Sequence, residues 1–352
     1  MGAAGREGIT TKANDAVPGT RFDFAGRGGE YFRIWIVNVF LTIVTLGIYS
    51  AWAKVRRTRY LYGSTLLEGA AFDYLANPIA ILKGRLIAVG LLMVYGASEL
   101  VSPILQGALA LAFLPVLPWL VIRARRFTLR NTAYRNIRFD FTGHYGEALV
   151  VYILCPLMIA FSMFLLYPLY VWQRAKFLVE NSTFGTQEFT FTVGMGAYFL
   201  AYLKFLALFG TVLVAGGLGF GNALAASSSD SSPALALLVL FVTMLALLAT
   251  LSYKHVTVTN LTWSGIELSG MRTRCVLETP QMYWIALTNL VAIVASFGLL
   301  IPWATIRMAR YRIEHISLLN PENLDALLGT QTAQIGAAGE EIGEFLGIDI
   351  GL

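Results

Sequence analysis

Seven apolar runs recur along the chain, at Tyr31–Ala53, Leu86–Val101, Ile104–Ile122, Ala148–Trp172, Met195–Gly221, Pro233–Leu251 and Tyr283–Thr305. Each is near the roughly 20 residues that a membrane helix requires. The polar stretches between them share an internal order, seen best in Leu46–Gly69, LGIYSAWAKVRRTRYLYGSTLLEG. An apolar run ends in a tryptophan, a Lys/Arg cluster closes in a basic-aromatic pair, and a small polar stretch leads to an F-x-F strand. Arg59-Tyr60 and Phe72-Asp73-Tyr74 return at Arg126-Phe127 and Phe139-Asp140-Phe141, then at Lys176-Phe177 and Phe189-Thr190-Phe191. Tyr253-Lys254 with Ile266-Glu267-Leu268 reads as a degenerate copy, and Arg310-Tyr311 as a last copy whose strand is lost.

A longer period overlies the short one. Phe22-Asp23-Phe24, Gly26, Gly29 and Glu30 map onto Phe139-Asp140-Phe141, Gly143, Gly146 and Glu147 at one fixed offset of 117, and Asn38, Gly47 and Trp52 map onto Asn289, Gly298 and Trp303 at 251. Repeats of this kind define an architecture before any single site does. The expected organisation is a flexible tail at 1–20, repeat units at 21–138 and 139–265, a partial third unit at 266–318, and an acidic soluble tail at 319–352, partly disordered or docked on a partner. The first twenty residues lack the apolar core of a signal peptide, so targeting is expected through the first internal apolar run.

Composition settles the class. The chain is 57% hydrophobic and 13% charged, with mean hydropathy +0.64, where soluble domains carry about 25% charged residues. It is an integral membrane protein, mostly α-helical. Counting each run as one span gives seven helices and splits Lys and Arg 15 against 10 across the membrane, with Lys204 inside a span. If Tyr31–Ala53, Ala148–Trp172 and Tyr283–Thr305 are instead re-entrant hairpins, all 25 of the others fall on one side. The positive-inside tendency then favours four full spans plus three re-entrant hairpins, with seven spans as the alternative. Gly47, Gly298 and Pro156 are the expected break points. That topology also gathers the F-x-F strands into a small sheet on the cytosolic side.

Candidate chemistry is sparse. His144, His255 and His315 are isolated, AGRGGE at 25–30 lacks the ending of a phosphate loop, and no Ser or Cys sits in a nucleophile elbow. Cys155 and Cys275 suggest neither a disulfide framework nor a metal site. No enzymatic activity, cofactor, metal or nucleic-acid partner is expected. The tryptophan-cation clusters are the most specific feature: Trp52, Arg56 and Arg59; Trp119, Arg123 and Arg126; Trp172 and Lys176; Trp303, Arg307 and Arg310. Indole at the headgroup level and cations at helix ends fix position in a bilayer, and several on one face would bind anionic headgroups. Asn38, Asn289 and Lys204 form a candidate polar site within the membrane.

The run YFRIWIVNVFLTIVTLGIYSAWAKVRRTRYLYGSTLLEGAAFDY, the FDFTGHYGE of the second unit, IPWATIRMARYR and the closing GEEIGEFLGIDIGL together resemble the YjgN-like family of bacterial inner-membrane proteins. The resemblance implies a multipass protein of the bacterial cytoplasmic membrane, a domain of unknown function with no established site, and a membrane-associated M48-type metallopeptidase as a candidate partner. Two functions remain in view. One is a scaffold or assembly factor binding anionic lipid and a partner protein; the other is a transporter or channel for a small solute or lipid. The scaffold is preferred, because few intramembrane charges are present to couple an ion gradient.

Overall fold

In the computed structural model, which describes residues 19–227 and 234–329, ten short strands close into an antiparallel barrel from which five helix pairs project. Strand β1 (Gly19–Phe24) runs into α1 (Gly28–Val44) and α2 (Ser50–Gly63), which return to β2 (Thr65–Leu67) and β3 (Ala70–Tyr74). The second pair is α3 (Pro78–Val101) with α4 (Pro103–Phe113) and α5 (Val116–Arg130), followed by β4 (Thr132–Tyr134) and β5 (Ile137–Phe141). The third is α6 (Tyr145–Leu149) and α7 (Cys155–Phe161), joined by a wide π-helical turn at Val150–Leu154, with α8 (Tyr167–Glu180), then β6 (Ser182–Phe184) and β7 (Gln187–Phe191). The fourth is α9 (Met195–Ser227) and α10 (Ala234–Ser264), then β8 (Ile266–Leu268) and β9 (Met271–Cys275). The fifth is α11 (Thr279–Ala295) and α12 (Ile301–Glu314), returning to β10 (Ile316–Leu319).

Both ends of every helix pair are fastened to the same rim. The strand that leaves and the strand that returns are neighbours, with Phe24 opposite Thr65, Tyr74 opposite Thr132, Phe141 opposite Ser182, Phe191 opposite Ile266 and Cys275 opposite Ile316. One backbone bond repeats five times. Ala25 N–H donates to the Ser64 carbonyl at 2.9 Å, Leu75 to Asn131 at 2.8 Å, Thr142 to Asn181 at 2.9 Å, Thr192 to Gly265 at 2.9 Å and Val276 to His315 at 3.1 Å. The strand turns lie at the opposite rim.

The small sheet expected from the F-x-F motifs is therefore a closed barrel, which leaves no unpaired edge. Two expectations about the repeats change with it. Ile266-Glu267-Leu268 is β8, the first strand of its hairpin, and the F-x-F position of that unit falls on Thr273-Arg274-Cys275 in β9. Nor is a strand lost after Arg310-Tyr311: β10 is present, and its hairpin partner is β1 from the other end of the chain, with Gly19 opposite Leu319. Circular closure hides that partner from a linear reading. The expected tail at 1–20 lies outside the described residues apart from Gly19 and Thr20, which open β1.

Alternation places one strand face inside the barrel. Leu67, Tyr134, Phe184, Leu268 and Leu318 project inward from the first strands, and Phe22, Phe72, Phe139 and Phe189 from the second. Their rings form a belt, with centroids 4.8 Å apart for Phe72 and Tyr134 and again for Phe139 and Phe184. At the turn rim a helical stretch at 322–329 buries Leu324, Leu327 and Leu328 in this cluster. Arg135, in the β4–β5 turn, bridges Glu68 at 3.4 Å and Asp325 at 3.1 Å beside it. The first part of the expected acidic tail thus packs on the chain's own barrel, because three leucines at helical spacing find an open apolar end there; Glu340, Glu341, Glu344 and Asp349 lie outside the described residues.

The helix pairs come in two lengths. At about 1.5 Å per residue, the 24 residues of α3, 33 of α9 and 31 of α10 reach about 36 Å or more. These three are long and apolar enough to cross a membrane, and α4 with α5, bent by 46°, passes as a fourth. In α1 and α11 the 17 residues reach only about 25 Å. The run Tyr31–Ala53 is thus broken between α1 and α2, and Tyr283–Thr305 between α11 and α12, at Gly47 (φ 92°) and Gly298 (φ 90°). In the third pair the break falls at Met163 and Phe164, also in the left-handed region, and not at Pro156. There the chain continues as helix, the wide turn at Val150–Leu154 taking up the clash that a proline ring makes with the carbonyl four residues back.

The three breaks share one pattern of local bonds. Thr45, Ser162 and Ser296 each accept a hydrogen bond from the N–H four residues on, Tyr49 at 2.9 Å, Leu166 at 3.2 Å and Leu300 at 3.0 Å. Each hydroxyl also donates back to the preceding helix, to Leu41, Ile159 and Ile293. Gly47, Phe164 and Gly298 donate their N–H groups to Thr42, Ile159 and Ile293 at 2.7–2.9 Å. The backbone of each tip is satisfied internally, while the side chains facing out are apolar: Leu46 is 95%, Met163 88% and Phe297 99% exposed.

Candidate membrane-interface site

The returning helix of each pair carries the cations, and its last turns sit against the barrel rim. Arg59 Nε donates to the Tyr74 carbonyl at 3.3 Å, Arg126 Nε to Phe141 at 2.9 Å and an Arg310 guanidinium nitrogen to Gly26 at 2.8 Å. In α10 the same place is held by Asn260, whose amide donates to the Leu277 carbonyl at 3.0 Å and accepts from its N–H at 2.9 Å. The aromatic partners act as pins. Tyr60 hydroxyl accepts from Arg27 N–H at 2.8 Å, and Tyr311 accepts from Glu278 N–H at 2.9 Å. The basic residues thus tie α2, α5 and α12 to backbone at or just beyond the ends of β3, β5 and β1, while Tyr60 and Tyr311 tie α2 and α12 to the residues that open their own helix pairs.

One or two turns further from the barrel rim stand the tryptophans. Trp52 stacks on Tyr49, whose hydroxyl accepts from Arg56 at 3.0 Å. Trp303 lies under the Arg307 guanidinium at 5.2 Å, and Arg307 also donates to Thr288 at 2.6 Å and Asn289 at 3.3 Å. Trp119 is 53% exposed and borders a cleft of about 290 Å³ with Arg123, Arg126 and His144. Trp172 does not share the register of the other three. It lies three residues further along its helix, donates its indole N–H to the Val193 carbonyl at 2.8 Å, and carries Lys176 over its ring at 5.4 Å. The four tryptophans thus differ in their partners, and Trp172 also in its position along the helix.

Asn38, Asn289 and Lys204 stand on α1, α11 and α9. Asn289 is buried, with its amide toward the Ala304 carbonyl at 3.4 Å. Asn38 is 7% exposed, and its Oδ1 has no partner among the described residues. Lys204 is exposed on the outer face of α9, the position of a cation that reaches along its stem toward the interface. The sequence reading missed Thr45, Ser162 and Ser296, although the offset of 117 that aligns Gly26 with Gly143 and that of 251 that aligns Trp52 with Trp303 also align these hydroxyls. It also missed the fork of Arg130 on Asp140, at 2.8 and 3.0 Å. Burial would raise the Asp140 carboxyl, but the Arg130 fork, the Phe141 N–H and Arg126 hold it below the usual carboxylate range. Among the described residues no three His, Cys, Asp or Glu side chains come together to hold a metal.

A ring of paired helices hung from one rim of a filled barrel, with cations at its base and apolar tips, defines a membrane protein. Residues 19–345 match the family described as bacterial protein of unknown function (DUF898), and the chain belongs to that family. It is 32% identical over 151 residues to inner membrane protein YjgN of Escherichia coli O157:H7, covering 42% of this chain and 37% of the relative. To the protein of the same name from Salmonella typhimurium (strain LT2) it is 26% identical over 196 residues, covering 53% and 48%. The matches span less than half the length of these curated relatives. No solved structure matches the chain. With these relatives and its apolar helices, the chain is a protein of the bacterial inner membrane.

Proposed function

We propose that the protein is a non-enzymatic scaffold of the inner membrane that holds anionic lipid headgroups around a cytoplasmic barrel. The observation that carries this reading is the fivefold bond joining the start and end of each helix pair at one rim. With both ends on one side, the two long pairs cross and return, giving four spans, and the three short pairs dip in and return as re-entrant hairpins. The tips support immersion, since their backbone groups are bonded internally and their outward side chains are Leu46, Met163 and Phe297. The cations at the base of α2, α5, α8 and α12 then lie at one headgroup level, where each adds about 1 kcal/mol toward anionic lipid. The filled barrel interior speaks against a solute path along its axis.

Single cysteines in place of Glu68, Thr186 and Ser269, one in each of three strand turns, test the topology in a background lacking Cys155 and Cys275. All three are expected to react only from the cytoplasm, and a cysteine at Glu99 only from the periplasm. Reaction of Thr186→Cys and Ser269→Cys from the periplasm would restore seven plain spans. The lipid role is tested by native mass spectrometry of the detergent-purified chain, which is expected to keep phosphatidylglycerol over phosphatidylcholine. Equal retention would end that reading.

A further inference from the structure

The cleft beside Trp119 differs from its counterpart elsewhere on the ring. Where α12 meets α1, residue 28 is glycine, and the Trp303 indole sits 3.5 Å from where a Cβ would stand. Where α5 meets α6, the equivalent residue is Tyr145, whose hydroxyl donates to the Pro115 carbonyl at 2.8 Å. The phenol occupies the space into which an indole would fold, and a cleft of about 290 Å³ stays open between the two helices.

Its charge is unbalanced. Arg307, the counterpart of Arg123, is engaged by Thr288, Asn289 and Trp303, whereas Arg123 has no hydrogen bond or ion pair among the described residues. Arg126 commits its Nε to Phe141, leaving its two terminal nitrogens uncommitted. The carboxylates on the adjoining elements are occupied, Asp140 by Arg130 and Glu147 by the Asn181 amide at 2.8 Å. No carboxylate lines the cleft. Two guanidiniums on an apolar wall, with the nearest carboxylate, Asp140, already forked by Arg130, suit a phosphate, whose oxygens accept forked hydrogen bonds. Val116, Trp119 and Leu120 continue the Arg123 stripe of α5 toward the membrane, and all three are exposed.

We infer that this cleft binds the phosphodiester of an anionic phospholipid, with Arg123 and Arg126 on the phosphate and an acyl chain along Val116, Trp119 and Leu120. The inference rests on the lipid-scaffold reading and gives it an address. It is tested by native mass spectrometry of the full chain with phosphatidylglycerol, checking each variant's folding by thermal unfolding. Arg123→Gln is expected to cut retention about fivefold, from about 1 kcal/mol per cation. Tyr145→Gly, which removes no charge but lets Trp119 close the cleft, is expected to cut it as well. Arg272→Gln, a charge loss on the barrel far from α5, is expected to leave it unchanged. If wild type prefers phosphatidylglycerol and both cleft variants keep it fully, the scaffold reading survives and this site does not. If wild type shows no preference, both fail. Displacement of the lipid by millimolar inorganic phosphate would make a soluble phosphate the ligand and overturn the lipid assignment.

Discussion

The barrel and the three short helix tips are both repeated structures, yet they are held by different forces. In the barrel each repeat contributes one or two side chains to a shared interior, so every unit depends on its neighbours. At the tips each repeat is self-contained, made of two or three local hydrogen bonds and a left-handed turn, with its side chains facing away from protein. The contrast teaches that sequence repetition need not imply one kind of stability. It also predicts that barrel substitutions will cost far more than tip substitutions.

The largest effect is expected at Tyr134. Its ring is buried between Phe72 and Phe184, and its hydroxyl donates to the Leu67 carbonyl at 2.7 Å. Tyr134→Ala removes both the ring and that bond and should cost about 3–5 kcal/mol, the range for large aromatic truncations. Tyr134→Phe, which removes only that hydrogen bond, should cost about 1 kcal/mol. Chemical unfolding in detergent, followed by tryptophan fluorescence, separates the two. Equal and small losses would mean that the barrel interior is not the common support.

A smaller effect is expected at the tips. Gly47 sits at φ 92° with open space where a Cβ would point, so Gly47→Ala meets no clash and suffers only the left-handed backbone cost of about 1–2 kcal/mol. Phe164 already bears that cost at the equivalent place, with φ 69°. Phe164→Gly should relieve it but lose about 0.5–1 kcal/mol to chain entropy, ending between no change and a gain of about 1 kcal/mol. The same unfolding assay checks the pair. A loss at Gly47 approaching that of Tyr134→Ala would erase the distinction between tip and barrel.

Much of this was legible in the sequence, and the part that was not has a physical cause. Apolar length located the helix-forming runs. Gly47 and Gly298 marked two of the breaks because glycine is the residue that most readily takes a left-handed turn. The third break escaped because Met163 and Phe164 take that conformation without glycine, and Pro156 offered a more conventional signal. The barrel escaped for another reason. Strands of three residues, such as Ser182–Phe184, carry too little alternation to be seen alone, and the partner of β10 lies about 300 residues away at β1. The cleft at Trp119 depends on Tyr145 replacing Gly28, a difference between repeats that matters only once the helices are placed side by side.

The smallest expected effect distinguishes the two regions by pH. Asp140 lies on the outer face of β5, and its carboxyl is held below its ordinary value by the Arg130 fork despite the opposing pull of burial. The other repeats do not supply this cation, since Gly63 and Glu314 stand where Arg130 does. A carboxylate whose folded value is depressed stabilises the fold above its unfolded value near 3.9, and that contribution is lost as pH falls from there through the folded value. Both side chains are partly exposed, so the loss is small and screened by solvent, as for a surface ion pair. The tips at 45–49, 162–166 and 296–300 contain no carboxylate. Hydrogen exchange measured from pH 6 to pH 3, corrected for its intrinsic pH dependence, should therefore show β5 and β6 opening below about pH 4 while the three tips keep their protection. Asp140→Asn should flatten the β5–β6 response. If the tips loosen over the same interval, they share a titrating support with the barrel, and the two regions are not energetically separate.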